Sequence, residues 1–470
     1  MTFDFTYLNE PKLQFQSGEA YNPPVGLWKY GPRFSSSHEK GHKWLKIGII
    51  GSGASVSRAL LMLEDMKIPA KPENISKWNL PFPGIGPDSQ MKFSFLCEPE
   101  WQEKLTSTEI KTILSSGSGI KIAEKFTELI DAKLAILHEK TPQPDCVIIS
   151  LPKEIEDACI PFGVENPLLK LPNEDDLHSR IKIYGIKYGL PTQVLRSKTL
   201  NFVGTQEKNI VFWNFAVGLL YKSQNGYPWK LANLEDNTCY VGISFFKEKG
   251  THSNNIRASM AQVFLDTGES FILRGDSFEW NDEKHPFSPH LSSDSAKKLV
   301  NYVITQYKQI RHDAMPSRIV IHKTSSYWEE EKDGFMSAIE KIPKKDLITI
   351  SETGIRFYRP GKFSVLRGTL ISNSDFSRNL LYTTGFAPSL NTYPGLGIPR
   401  PLLIKPDVLD SNISDVCSEI LAFTKLDWNN TFMYRKHPVT LSVSQKVGNV
   451  LSDSIAKVQE RLDPHYYFYM

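Results

Sequence analysis

Asp176-Leu-His-Ser-Arg-Ile-Lys-Ile-Tyr-Gly185 is the stretch from which the rest of the chain becomes readable. His178 and Lys182 stand four residues apart, so on a helix they share one face and can grip a single anion. Gln193 follows in Gly189-Leu-Pro-Thr-Gln193, at the start of an expected strand, and Lys222 closes the expected helix Phe212–Lys222. Together these groups suit one terminal phosphate. The lysines supply point charge, and the glutamine amide donates to a phosphate oxygen or offers its carbonyl oxygen to a metal ion. A histidine at helical spacing is, taken alone, more often a satisfied structural residue, so the weight rests on the set. For Tyr184 and Tyr188 on the same helix, core packing is expected over stacking on a ligand.

Working outward, strands and helices alternate. Trp44-Leu-Lys-Ile-Gly-Ile-Ile reads as a buried strand that turns at Gly51-Ser-Gly-Ala-Ser into the helical pattern from Val56. Helical patterns recur at Ser107–Leu114 and Ile120–Leu137, and Cys146–Leu151 is another apolar strand. This rhythm predicts an α/β domain with a mostly parallel sheet. The Gly51 turn invites comparison with a dinucleotide-binding loop. Val56 stands where the third glycine of that fingerprint belongs and no acidic residue ends a second strand, so a plain strand-to-helix turn is expected.

Beyond Gly226-Tyr-Pro-Trp the rhythm changes. Thr238–Phe246 and Met260–Leu273 alternate in strand fashion, Ser270-Phe-Ile-Leu-Arg-Gly closes a meander of neighbouring strands, a helix follows over about Ser293–Arg311, and Arg318-Ile-Val-Ile-His is a buried strand. That order is the one found in an RNase H-like core. At 470 residues the chain exceeds a single core of roughly 250–300 residues, and two domains are expected after a Pro-, Gly- and aromatic-rich lead-in: 1–40 lead-in, 41–226 first domain, 227–470 second domain.

Composition excludes more than it selects. Hydrophobic residues at 40% and charged residues at 23% are ordinary for a globular protein. A net charge of +3 gives no global sign of a nucleic-acid binder, so local clusters must carry that function; His322-Lys323 and Tyr434-Arg-Lys-His437 are the basic runs expected to line a nucleic-acid channel. The five cysteines (97, 146, 159, 239 and 417) lack zinc-ligand spacing and read as buried thiols in a reducing cytosol. No basic-then-apolar leader opens the chain and no apolar run nears the roughly 20 residues that cross a bilayer, so a soluble cytoplasmic protein without membrane contact is expected.

The order and spacing of His178, Lys182, Gln193 and Lys222 resemble the 5′-phosphate pocket in the MID domain of Argonaute proteins. Further fragments extend the resemblance over most of the chain: Asn9-Glu-Pro-Lys-Leu-Gln-Phe, Gly26-Leu-Trp-Lys-Tyr-Gly-Pro-Arg, Asp145-Cys-Val-Ile-Ile-Ser-Leu-Pro, Tyr227-Pro-Trp-Lys-Leu, Cys239-Tyr-Val-Gly-Ile-Ser and Ile319-Val-Ile-His-Lys-Thr. It points to the short prokaryotic Argonautes, with room for a Rossmann-like MID and an RNase H-like PIWI domain but not for N and PAZ domains. The resemblance implies a 5′-phosphorylated RNA guide, a complementary single-stranded DNA target, and Mg²⁺ held at the guide phosphate by Gln193 and the C-terminal carboxylate of Met470. It further implies a role in defence against plasmids and phages, as a heterodimer with an APAZ-containing effector of TIR, sirtuin-like or nuclease type, commonly one that degrades NAD.

RNase H-type cleavage needs carboxylates that hold two metal ions about 4 Å apart. In slicing Argonautes the first Asp follows Val-Gly-Ile, where this chain has Ser244, and the second follows His-Arg or His-Lys, where this chain has Thr324. Neutral hydroxyls are poor substitutes for anionic ligands, so no slicing is expected. The alternative is a self-sufficient RNase H-like nuclease with unorthodox ligands, drawn from Asp236, Asp266 or Asp313. A Rossmann-type nucleotide-binding enzyme built on Gly51-Ser-Gly53 is a third possibility.

Overall fold

The computed structural model describes the chain except for residues 1–2, 35–40, 160–171, 224–226, 248–255, 282, 284–287, 362, 374–377, 394, 396 and 453–462. The expected turn at Gly226 falls outside the described residues. Two large sheets organise the fold.

The first is parallel, with strands in the order Phe93–Leu96, Lys43–Ser52, Cys146–Ser150, Thr192–Leu195; Gln102–Leu105 pairs with the far end of Lys43–Ser52. Leu45, Ile47, Ile49 and Ile50 are fully buried, as a strand covered on both faces requires. Ser52 caps the helix Gly53–Asp65, its hydroxyl accepting from the Ser55 amide at 3.2 Å. A Cβ on Gly51 would lie 2.7 Å from the Ser150 carbonyl oxygen, so this glycine lets neighbouring strands approach closely.

Nine strands form the second sheet, in the order Asp4–Tyr7, Thr369–Asn373, Arg378–Leu381, Leu402–Leu409, Lys344–Glu352, Arg318–Lys323, Thr238–Lys247, Ile256–Leu265, Ser270–Glu279. Thr238–Lys247, Arg318–Lys323 and Lys344–Glu352 run parallel, so their carboxyl ends open on one side of the sheet. Alternate residues of Thr238–Lys247 feed different cores. Cys239, Val241 and Ile243 face the helices Ser293–Ile310 and Glu329–Ala338, while Tyr240 packs with Phe423 of Ile413–Phe423. The second core is continuous with that of the first sheet through the buried helix Lys208–Lys222.

The structure departs from the sequence expectations at two places. The run Met260–Leu273 is divided between two strands by a turn in which Gly268 takes φ +105°. The lead-in is more regular than its composition suggests, because Asp4–Tyr7 joins the large sheet and Pro23–Tyr30 is helical. Glu10 ties this segment down, accepting from Arg367 Nε and Lys425 Nζ at 2.9 Å each.

Candidate nucleic-acid interface

The helix Pro172–Lys187 lies against the strand Thr192–Leu195 closely enough that a Cβ on Gly185 would meet the Thr192 side chain at 2.9 Å. That approach lets Lys182, only 1% exposed, donate to the Thr192 main-chain oxygen. Lys222 is equally buried at the end of Lys208–Lys222, where the helix dipole favours a cation, and donates to Gln193 Oε1. Gln193 Nε2 donates to the Val194 carbonyl oxygen at 3.1 Å. His178 sits one turn before Lys182 and is exposed.

These four residues line one cavity of about 270 Å³, and Met470 forms part of the same wall. The aromatic end of the chain is buried: Tyr466, Phe468, Tyr469 and Met470 are at most 6% exposed. Ile272 donates its amide to the Pro464 carbonyl at 2.7 Å, fastening the tail to the strand Ser270–Glu279. Tyr466 and Tyr467 pack near the ring of Tyr221 on Lys208–Lys222. Tyr184 lies in the core and neither it nor Tyr188 lines the cavity.

Electrostatically the cavity is cationic. Among the described residues, neither Lys182 nor Lys222 pairs with a carboxylate. Burial and the neighbouring ammonium of Lys222 hold Lys182 well below the ordinary lysine range, and burial lowers Lys222 to about 8. His178 is likewise depressed, by desolvation in the cavity and by the ammonium charges of Lys182, Lys222 and Lys446. Two basic lining residues, Arg196 and Lys446, were not read from the sequence; Arg196 meets Glu156 at 3.9 Å, whereas Lys446 reaches the cavity from far along the chain. It comes from the helix Ser444–Leu451, which packs on Pro172–Lys187, and nothing local in Ser-Gln-Lys-Val-Gly announces that long-range contact.

As a divalent-cation site the cavity offers few side-chain oxygens, none of them a side-chain carboxylate: Gln193 Oε1, already taken by Lys222, Ser179 and the asparagines 429 and 449, with Met470 beside them. Mg²⁺ demands near-octahedral oxygen coordination, so this donor set fits it only together with phosphate oxygens and water. A second cavity of about 600 Å³ adjoins the first, sharing Gln193 and Asn429 with it, and is lined further by Lys198, Thr205, Gln206 and Phe215.

Ser244, inside the strand Thr238–Lys247 and paired with Met260, and Thr324, just past the end of Arg318–Lys323, each follow the Ile243–Lys323 register pair by one residue. Ser244 is 9% exposed and its Oγ has no partner, while Thr324 is exposed. Of the alternative metal ligands, Asp266 is engaged by Arg311, and Asp313 lies in a loop with φ +65°. Asp236 precedes the strand Thr238–Lys247.

One expectation is corrected outright. His322 and Lys323 do not line a channel, because both are fully buried: His322 Nδ1 bonds Thr440 Oγ1 at 2.9 Å, and Lys323 pairs with Glu331. Of the other basic run, Arg435 pairs with Asp427, whereas Lys436 and His437 both meet Glu352 at 2.8 Å and stay half-exposed.

The fold is that of Argonaute proteins. Clostridium butyricum Argonaute bound to a guide DNA and a 19-mer target DNA superposes with a TM-score of 0.65 at 16% identity, over 96% of this chain and 53% of that one. Drosophila Piwi gives 0.64 at 12% identity over 99% and 56%, and A. aeolicus Argonaute 0.59 at 16% over 98% and 55%. The chain thus spans about half the length of these structures. No family model and no curated protein sequence matches it. Among the described residues no helix is long and apolar enough to cross a membrane.

Proposed function

We propose that this chain is the guide-binding subunit of a prokaryotic defence system, holding the 5′-phosphate of a guide in the cavity of His178, Lys182, Gln193 and Lys222 and recognising a complementary strand by pairing. One observation carries this: two lysines are buried side by side and, among the described residues, neither is in an ion pair. Burying an uncompensated charge costs several kcal/mol. A doubly charged phosphate offsets that cost, and its oxygens accept from both ammonium groups.

In this account His178 and Lys446 complete the rim, and the first nucleotide of the guide enters the adjoining cavity beside Phe215. Gln193 and the Met470 carboxylate are the groups that would hold Mg²⁺ against the phosphate, with the Gln193 amide exchanging Lys222 for the ion. The cation would offset repulsion between carboxylate and phosphate.

We further propose an RNA guide, a single-stranded DNA target and no cleavage by this chain, since Ser244 and Thr324 put hydroxyls where a two-metal site needs carboxylates. Enzymatic output then belongs to an APAZ-containing partner. The test incubates purified chain with labelled guide, complementary strand and Mg²⁺ or Mn²⁺. Binding that favours a 5′-phosphate over a 5′-hydroxyl, without shortening of either strand, is expected. EDTA-sensitive cleavage would establish the nuclease alternative instead.

A further inference from the structure

The strand Lys344–Glu352 leaves the large sheet at the same end as Ser244 and Thr324, since Lys323 pairs with Thr349. The loop after it, Thr353-Gly-Ile-Arg-Phe-Tyr-Arg-Pro-Gly361, is built with fixed feet and a charged crest. Its feet are aromatic. Phe357 is half-buried against the small core of Val365, Ile371, Leu380 and Tyr382, and its amide donates to Tyr382 Oη at 3.0 Å. Phe363 stacks on Phe386 with ring centroids 4.2 Å apart.

Between those anchors the neighbours of Phe357 turn outward. Arg356 and Arg359 are exposed, and Tyr358, at 79%, is the most exposed large hydrophobic side chain among the described residues. Arg400 stands at the same sheet end, two residues before Leu402, the partner of Glu352. Lys436 and His437 share Glu352 as their carboxylate. Among the described residues no carboxylate pairs with Arg356, Arg359 or Arg400. Arg356, Arg359 and Arg400 thus stand, without a carboxylate partner, in the segments that flank the Glu352–Leu402 pair, and Glu352 itself is taken by Lys436 and His437.

A protein surface gains little from leaving an aromatic ring and unpaired guanidinium groups in water, whereas a nucleic-acid strand uses both: phosphates pair with the guanidinium groups and an exposed base stacks on the ring. We infer that the loop 353–361 is a nucleic-acid clamp, in which Arg356 and Arg359, backed by Arg400, grip the phosphodiester backbone while Tyr358 stacks on a base, at the end of the sheet that holds Ser244 and Thr324. The clamp rests on the proposed guide-binding function and adds a second site to it, remote in sequence from the phosphate cavity. It reads backbone charge and carries no sequence information.

Three variants test it in the full chain: Arg356→Ala with Arg359→Ala, Tyr358→Ala, and Tyr358→Phe. All lie on an exposed loop away from the cores. Each is measured for binding of a labelled oligonucleotide with 5′-phosphate or 5′-hydroxyl, and, once loaded, for binding of the complementary strand across a salt series. The double arginine variant is expected to bind the complementary strand about tenfold more weakly or worse, with a salt slope shallower by about two, while its preference for a 5′-phosphate is unchanged. Tyr358→Ala is expected to weaken binding and Tyr358→Phe to leave it intact. Unchanged affinity and slope in the arginine variant would overturn the clamp, whether or not a protein partner is lost, and would leave the phosphate cavity standing. Loss of the 5′-phosphate preference in the unaltered chain would instead remove the cavity assignment. A chain that binds no oligonucleotide overturns both.

Discussion

Lys222 donates to Gln193 Oε1 across the floor of the cavity, a neutral partner for an ammonium that has no ion pair among the described residues. Lys182, beside it, is in the same position with the Thr192 carbonyl. Hydrogen bonds to neutral oxygens do not repay the desolvation of two like charges.

The free chain should therefore be more stable without these charges. Lys182→Met and Lys222→Met preserve the length of the stem and remove the ammonium, and each is expected to raise the stability of the unliganded chain by about 1 kcal/mol or more. Thermal unfolding reads this directly. A lowered midpoint for both would mean that the lysines are structural.

A pH dependence arises from the same depression. Lys222 titrates near 8 in the folded chain against 10.5 ordinarily, so between those values the unfolded chain holds the proton and the folded one has lost it. Stability of the free chain should rise with pH across that window. Phosphate binding requires the ammonium form. Affinity for a 5′-phosphorylated guide should fall as pH rises above about 8, by up to about tenfold per pH unit for each proton taken up. An affinity that is flat from pH 7 to 9.5 would contradict this.

Glu10 supplies a test of the fold. Its carboxylate, though buried, is held below the ordinary range by Arg367 and Lys425, so its stabilisation is present above the usual carboxylate pKa and lost as pH falls through the lowered value. Glu10→Gln leaves two buried cations short of their counter-charge and should cost about 3–5 kcal/mol in denaturant unfolding. A loss below about 1 kcal/mol would show that the lead-in contributes little to the folded core.

The chain end makes a demand that ordinary termini do not. Adding a few Gly and Ser residues after Met470 moves the carboxylate away from the position proposed for it without deleting a side chain, and should lower both guide affinity and its dependence on Mg²⁺. An N-terminal extension should do neither. Unchanged, Mg²⁺-dependent binding by the C-terminally extended chain would remove Met470 from the site.

Much of this architecture was legible in local pattern. The apolar runs at Trp44 and Cys146 and the helical spacing of Ser107–Leu114 fall on elements of those kinds, because a strand buried on both faces and an amphipathic helix each leave a periodic trace. The convergence of His178, Lys182, Gln193 and Lys222 on one cavity was legible only as a set. Lys446 and the loop around Tyr358 were not, since their placement depends on contacts between elements distant in sequence. His322 and Lys323 misled for the opposite reason: charge suggests a surface, yet Thr440 and Glu331 satisfy them inside the core.

The most direct measurement is the affinity of the Lys182→Met, Lys222→Met double variant for matched guides that differ only in the 5′ group. Each charge-assisted contact to phosphate contributes about 1.5–3 kcal/mol, so losing both should cut the preference for 5′-phosphate over 5′-hydroxyl by about 100-fold or more, with 5′-hydroxyl binding nearly unchanged. An equal loss for both guides, or none for either, would show that the buried lysines do not hold a guide phosphate.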